Sequence, residues 1–397
     1  MSGVAIQARA SRLRALLPDG AAAVGCSSPN VRWLTGLAGQ PHELYGMAPL
    51  WTVLGPGGVR IVAPASELAW IEESHGLDGV IPYGRFVLRG TPSAALSRAV
   101  DRGGALPDVL TAALEQVRAS GPILFDGGGT MPAVLDVWES LDSTERSLAP
   151  ELWLQARAVK DPKEIDALRR VNRVAETALA DALQIADVGV AERDLLLRLR
   201  RTMVELGARP LLGSVGAGER GALVDFASSD RCLQEGEPIR MDVGCVLDGY
   251  HADLARTAVL GEPSEWLLAA HEGLLAGQLE AVAELKEGVT GARLFEAAVD
   301  ATRAAGVEDY ERSHCGHGIG LDMYEQPMIR PGADQPLVAG MTCCIETPLY
   351  EIGRGGVQVE DAFLVTDDGC ERMGGLPQGL LAAGVPVPLP ATTSLRA

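Results

Sequence analysis

The spacing of apolar and polar positions changes along this chain, and the change divides it near residue 155. Before that point short apolar runs alternate with amphipathic ones. AAAVGCSS and VRWLTGL read as a strand and a strand edge, and LWTVLGPGGVRIVAPA reads as a hairpin turning at Pro56-Gly57-Gly58. SELAWIEESHG follows as a helix with Ser66 as N-cap, PDVLTAALEQVRAS as a further helix, and PILFDGG as a strand. Together they predict an α/β domain over residues 1–155. GGGT at 127–130 reads as a turn, because no Gly-Lys-Ser/Thr follows to make a phosphate loop.

From RAVKDPKEID onward the period is helical, and a second domain runs over 156–397. Asp161 suits an N-cap, Pro162 the first helical position, and Glu164 completes the spacing of a capping box. Ile165, Leu168, Val171, Ala175, Ala178 and Leu179 then recur on one helix face. Helical segments at about 162–187 and 191–206 precede a strand pair around 238–260. Two more, at about 264–287 and 291–305, precede strands around 341–366. The same helix–helix–hairpin unit occurs twice, which predicts an α+β domain built by duplication, with two hairpins facing each other.

Each hairpin carries two acids. Asp242 and Asp253 straddle a turn at Asp248-Gly249, while Glu346 and Glu360 straddle a loop centred near Gly353. Each pair is therefore expected roughly opposite across its ladder, give or take a bulge. A lone acid in a strand is ordinarily on a solvated face. Here the flanks, IRMDVGCV, TCCIETPL and VQVEDAFLV, are apolar, and an acid in such a strand is costly unless paired or metal-bound. Four carboxylates brought together could hardly all stay ionised without a cation. His317, between glycines in HCGHGIGLDMYEQP, is a fifth candidate: glycine lets backbone approach a crowded site, and neutral imidazole is a common ligand. Oxygen donors with a single nitrogen suit Mn, Co, Fe or Zn.

Neighbouring residues read less sharply. His251 lies two before Asp253, so strand alternation puts both on one face, as a substrate contact or a rim residue. His314 reads as a structural hydrogen-bonding residue. Cys315 has no His–acid pair left to activate it once the metal is assigned, and Cys343 and Cys344 read as core.

Composition narrows the class. A net charge of -19 argues against a nucleic-acid or anionic-membrane partner. No apolar run approaches the ~20 residues of a membrane span. Arg9, Arg12 and Arg14 lie within an amphipathic pattern, not ahead of an apolar leader segment. The seven Cys are scattered without a CxxC and read as reduced thiols of a cytoplasmic protein.

The motifs together resemble the methionine aminopeptidase, prolidase and creatinase superfamily, whose catalytic domain has the pita-bread fold. MDVGCVLDGYHADLARTAVLG matches the stretch with two metal-binding Asp, GHGIG the His ligand and GGVQVEDAFLVTDDG the last ligand, while IETPLY stands where the family often has a Glu-Pro-Gly stretch. SSPNVRWLTGL resembles the entry to a creatinase-type N-terminal domain, and RAVKDPKEID the usual junction.

The resemblance implies a pita-bread domain with an internal pseudo-two-fold repeat after an α/β N-terminal domain. It implies two divalent metal ions, Mn foremost with Co, Zn or Fe as alternatives, held by Asp242, Asp253, His317, Glu346 and Glu360. Asp253 and Glu360 would bridge them, and Glu346 would shuttle the proton. It further implies a cytoplasmic homodimer that hydrolyses a small peptide or amide, with Xaa-Pro peptides as the family default. The substrate shell departs from the family: Asp225 and Tyr324 stand where histidines are usual, and Gln358 where an arginine is common. Those changes leave room for a specialised amidase or a metal-dependent lyase of a small metabolite. A binding protein on a retired peptidase fold is the further alternative; it predicts broken ligands, and all five are present.

Overall fold

A computed structural model describes residues 3–37, 50–87, 103–117, 121–127, 132–142 and 145–389, with Ser93 and Leu96 between them. The chain falls into two units, Met1–Arg157 and Ala158–Ala397.

In the first unit β1 (Ala22–Gly25), β2 (Trp51–Gly55), β3 (Gly58–Pro64), β4 (Val80–Tyr83), β5 (Ile123–Phe125) and β6 (Arg146–Leu148) form one sheet in the order β4-β3-β2-β1-β5-β6. The helices are α1 (Gly3–Arg14), α2 (Ser28–Thr35), α3 (Leu68–His75), α4 (Leu106–Val117), α5 (Pro132–Ser140) and α6 (Pro150–Ala158). The hairpin expected at Pro56-Gly57-Gly58 is β2–β3, with Gly55 paired to Gly58 and Gly58 at φ +107°. The helix and strand expected from PDVLTAALEQVRAS and PILFDGG are α4 and β5.

Two expectations fail here. VRWLTGL lies in α2, not at a strand edge: Pro29 sits in its first turn and Gly36, at φ 77°, caps its end. That bracket outweighs the strand-like composition, and Val31, Trp33 and Leu34 are buried from the helix. The N-cap of α3 is Glu67, one residue beyond Ser66, and no side chain caps it. Gly128, Gly129 and Thr130, of the turn read at GGGT, lie outside the described residues.

The second unit opens as its sequence predicts. Asp161 accepts from the backbone of Lys163 and Glu164, both at 3.0 Å, and the Glu164 carboxylate takes the Asp161 N–H at 3.0 Å. This capping box starts α7 (Pro162–Gln184). α8 (Glu192–Glu205), β7 (Arg209–Ala217), β8 (Pro238–Leu247) and β9 (Tyr250–Val259) complete one repeat. The other contains α9 (Glu265–Glu284), α10 (Gly291–Ala304), β10 (Gly316–Gly318), β11 (Glu325–Met328), β12 (Thr342–Glu346), β13 (Leu349–Glu351), β14 (Gly355–Val357) and β15 (Glu360–Val365). β16 (Cys370–Arg372) pairs with β15, and β17 (Leu381–Ala382) with β9.

The main path of this sheet is β11-β10-β12-β15-β9-β8-β7. The hairpins therefore do not face one another as separate ribbons. β9 and β15 pair through Ala255 and Glu360, so the repeats join side by side. Pairing of these two edges satisfies backbone groups that each hairpin would otherwise leave open. The back of the sheet is apolar: Met241 and Val243 pack with Leu168, Val171 and Leu199 of α7 and α8, and Ile345, Phe363 and Val365 with Leu274 and Leu294 of α9 and α10. Strand alternation then turns Asp242 and Glu346 to the opposite face.

Candidate metal centre

One rung crosses both repeats. Asp242 pairs with Ala255, Ala255 with Glu360, and Glu360 with Glu346. Partners on a rung point to the same face, so β8, β15 and β12 each present an acid there. Glu346 and Glu360 are directly opposite, as expected from their hairpin. Asp242 and Asp253 are not: Asp253 pairs with Gly244, which places the two acids on a diagonal, two residues apart in register. Asp253 still shares the face of Ala255, and the stagger moves its carboxylate towards β10.

His317 enters from β10, paired with Cys344 of β12. Its glycine neighbours are sterically required. A Cβ on Gly316, at φ +145°, would lie 2.0 Å from the Cys344 carbonyl oxygen, and one on Gly318 would lie 2.2 Å from that of Gln326. His317 Nδ1 lies 3.0 Å from the Gly318 carbonyl, which can only accept, so Nδ1 carries the proton and Nε2 keeps a lone pair. That Nε2 is 3.6 Å from Asp253 Oδ2. Burial lowers the His317 pKa and favours the neutral ring.

Oxygens of Asp242, Asp253 and Glu360 lie within 4.8 Å of one another, and so do a His317 nitrogen, Cys344 Sγ and a Glu360 oxygen. Burial and then the neighbouring acids raise the Asp253 and Glu360 carboxyls well above their usual range. Asp242 is pushed up to about 6, by burial first, with Arg240 pulling it down and Glu346 adding to the rise. Asp253 Oδ1 is buried with no hydrogen-bond partner among the described residues. A buried acceptor without a donor, among acids that raise one another's pKa, fits divalent cations.

Glu346 differs from the other acids. His314 Nδ1 is 3.1 Å from its Oε1, and Arg312 Nη2 is 3.9 Å from its Oε2. Burial would raise its carboxyl, but His314, Arg312 and His317 outweigh burial and hold it below the usual range. His314 thus faces the site and is not a loop residue bonded elsewhere.

The proposed substrate residues fall in different places. The Tyr324 ring stacks on His317, with centroids 3.8 Å apart and planes at 21°, and the residue is 54% exposed. Burial and the acid cluster raise its phenol, which keeps it a protonated donor. Asp225 is exposed, and its charge is felt at Asp242. His251 rests against the Gly320 carbonyl at 3.3 Å, with Asp322, Glu325 and Arg209 as charged neighbours. Gln358 is 1% exposed, and its amide is engaged by Arg240 and Glu360.

Arg240 was not singled out in the sequence. Its guanidinium reaches Gln358 Oε1 at 2.8 Å and Asp242 Oδ2 at 3.2 Å, and it donates to the carbonyls of Gly221, Leu223 and Val224. A cation at the second position before Asp242 in an apolar strand is the signal that could have found it. Arg256 braces the other side, donating to the Glu360 carbonyl at 2.7 Å and to Asp361 Oδ1 at 2.5 Å. Cys343 and Cys344, read as core, are both buried in it, and Cys344 Sγ also lies beside a His317 nitrogen and a Glu360 oxygen.

The turn after His317 is held from below. Lys160 Nζ lies 2.7 Å from Glu325 Oε2, each side chain 1% exposed, and Glu325 Oε1 accepts the N–H groups of Leu321 and Asp322. Lys160→Met removes the cation and leaves a buried carboxylate, an expected cost of about 3–5 kcal/mol. Denaturant unfolding followed through the second unit measures it, and an unchanged midpoint would refute the brace.

An acid rung closed by one imidazole on a duplicated, helix-backed sheet defines a class of metal-dependent hydrolases. The model of metallopeptidase family M24 matches residues 166–367, and the chain belongs to that family. It is therefore a metal-dependent hydrolase on the M24 fold. It is 30% identical over 362 residues to a probable dipeptidase PepE of Mycobacterium tuberculosis, covering 88% of this chain and 89% of that one. The crystal structure of the dipeptidase PepE from Mycobacterium ulcerans superposes with a TM-score of 0.78 at 28% identity, over 96% of this chain and 99% of that one. A Xaa-Pro dipeptidase from Bacillus anthracis superposes with a TM-score of 0.81 at 21% identity, over 95% and 99% of the two chains, and shows the shared fold. Among the described residues no helix is long and apolar enough to cross a membrane.

Proposed function

We propose that the protein is a two-metal dipeptidase of Xaa-Pro type. The observation that carries this reading is the convergence of Asp242, Asp253 and Glu360 oxygens within 4.8 Å, beside His317. Asp242, Asp253, His317, Glu346 and Glu360 would hold two divalent ions, Mn foremost. Ions held there would polarise a carbonyl and bring the pKa of water towards neutrality.

The chain's own residues do the rest. Glu346, held ionised by His314 and Arg312, accepts a proton from the attacking water. As the water oxygen bonds to the carbonyl carbon, the C–N bond breaks and Glu346 passes that proton to the departing nitrogen. The Tyr324 hydroxyl is a donor for the developing oxyanion, and the Asp225 carboxylate a partner for a substrate ammonium. Gln358 and Arg240 orient the acids from behind. The domain division at 155/156, a cytoplasmic location and a homodimeric state belong to the same proposal; light scattering tests the last, and a monomer contradicts it.

A second reading, a specialised amidase or lyase, is favoured by one observation: Tyr324 and Asp225 stand in place of histidines. The test serves both readings. Protein reconstituted with Mn and desalted is expected to retain about two equivalents of metal and to hydrolyse Ala-Pro. Metal retained with no Ala-Pro hydrolysis, but turnover of another amide, moves the assignment to the second reading. No retention of Mn, Co or Zn overturns both.

A further inference from the structure

The acid rung has a soft neighbour. Cys344 lies on β12 two residues before Glu346, so strand alternation gives both the same face. It pairs with His317 of β10 on one side and with Ala362 of β15 on the other. The thiol is therefore beside the imidazole, and it is fully buried. Among the described residues the donors sort into two trios that share Glu360. Asp242, Asp253 and Glu360 bring oxygens within 4.8 Å of one another, while His317, Cys344 and Glu360 bring a nitrogen, a sulfur and an oxygen within the same limit. Donors of one ion stand roughly 2.0–2.3 Å from it, so each trio is spaced for an ion of its own. The thiol's hydrogen-bond partner is the Asp253 carbonyl, 3.7 Å away, a weak bond that leaves the sulfur lone pairs unused. Asp253 supplies an observation independent of the thiol. It is 4% exposed, its Oδ1 has no hydrogen-bond partner among the described residues, and its Oδ2 is 3.6 Å from His317 Nε2. That orphaned acceptor fits a cation where the two trios meet.

We propose that Cys344 is a sulfur donor to the ion beside His317, which makes that half of the centre select a softer metal than the all-oxygen half; the assignment rests on the two-metal reading above. The preference follows from donor type. Carboxylates alone suit Mn, Mg or Ca, whereas imidazole joined by thiolate suits Zn or Fe. On binding, a metal–sulfur bond forms as the S–H bond breaks, and the proton leaves to the solvent. The centre is then mixed, with Mn on the side of Asp242 and Zn or Fe on the side of His317. Cys343 cannot take the same part, because it packs in the apolar cluster with Ile345 and Phe363.

The experiment loads full-length, metal-stripped protein with Co(II), a spectroscopic stand-in for Zn, in the wild type and in Cys344→Ser. The wild type is expected to gain a sulfur-to-cobalt charge-transfer band in the near ultraviolet, saturating before loading is complete. Cys344→Ser is expected to lose the band and still bind cobalt, since serine fits the same space. In Zn–Mn competition followed by metal analysis, the preference for Zn is expected to fall by roughly tenfold to a hundredfold in the variant. A wild type that binds cobalt without the band overturns the proposal, whatever the variant does. So does a band that survives Cys344→Ser, because another cysteine then supplies it, and so does an unchanged Zn–Mn preference.

Neither readout needs turnover, so this proposal and the hydrolase reading fail separately. Full cobalt loading without the band removes Cys344 from the centre and leaves the two-metal site standing. The band without hydrolysis of Ala-Pro counts against the dipeptidase reading and still supports Cys344. Failure to retain cobalt at all overturns both.

Discussion

Glu346→Gln is expected to lower kcat by roughly 10²–10⁴-fold while the protein stays folded. Gln preserves the volume of the side chain and can still place an oxygen at the position opposite Glu360, but it cannot accept a proton. The acid it replaces is the one in the rung held below its usual pKa, by His314 and Arg312 against the effect of burial. Its neighbours Asp253 and Glu360 are pushed the other way. Glu346 is therefore ionised and able to accept a proton while it also stands among the candidate ligands. Steady-state kinetics with metal analysis on the same samples decides the matter. An unimpaired kcat removes Glu346 from the chemistry, and a full loss of metal makes it a ligand before all else. Asp253→Asn is expected to abolish turnover by a different route, through loss of the metal, and an active Asp253→Asn protein would sink the bridging assignment.

The second large effect is on stability. At 1 mM Mn and a Kd of about 1–10 μM, binding adds roughly 3–4 kcal/mol, or about 5–15 °C in the melting temperature of a unit this size. The shift depends on pH in a defined sense. Asp242, Asp253 and Glu360 have folded pKa values above those of the unfolded chain. Once pH exceeds the unfolded carboxylate values near ~4, the unfolded chain has released protons that the folded chain still holds. Stability of metal-stripped protein therefore falls as pH rises through the raised values. His317 has the opposite sign: its folded pKa is lowered, so it costs stability below its ordinary value and ceases to matter above it. Stripped protein is expected to melt progressively lower as pH rises above the unfolded carboxylate values, with His317 opposing this only up to about 6.5, and Mn-loaded protein to hold its melting temperature. Parallel curves for the two forms would mean that the acids do not share the cation.

What was legible in the sequence was local or periodic. The Asp161–Glu164 capping box needs only three residues of spacing, and the structure reproduces both of its hydrogen bonds. The four candidate acids stood out because acids within apolar strands violate the usual pattern. The glycines around His317 marked a close backbone approach, now seen against the Cys344 and Gln326 carbonyls. What was not legible depended on partners distant in the chain. The edge pairing of β9 with β15 joins strands whose sequences carry no sign of each other. Arg240 passed unnoticed because its strand is otherwise apolar, and its purpose emerges only when Gln358 is brought against it. The error at α2 was of another kind: Trp, Val and Leu suit a strand, and the Pro and Gly that bracket them carried the decisive signal.

The join at Ala255 and Glu360 has a consequence for how the protein matures. Each repeat contributes only part of the acid rung: Asp242 and Asp253 come from one, Glu346 and Glu360 from the other. During synthesis the first repeat emerges with Asp242 and Asp253 but without His317, Glu346 and Glu360, a set with little hold on a transition metal. The nascent chain therefore remains blind to its ions until the second repeat has emerged and zipped onto the first. On the two-metal reading, metal capture would be the closing event of folding.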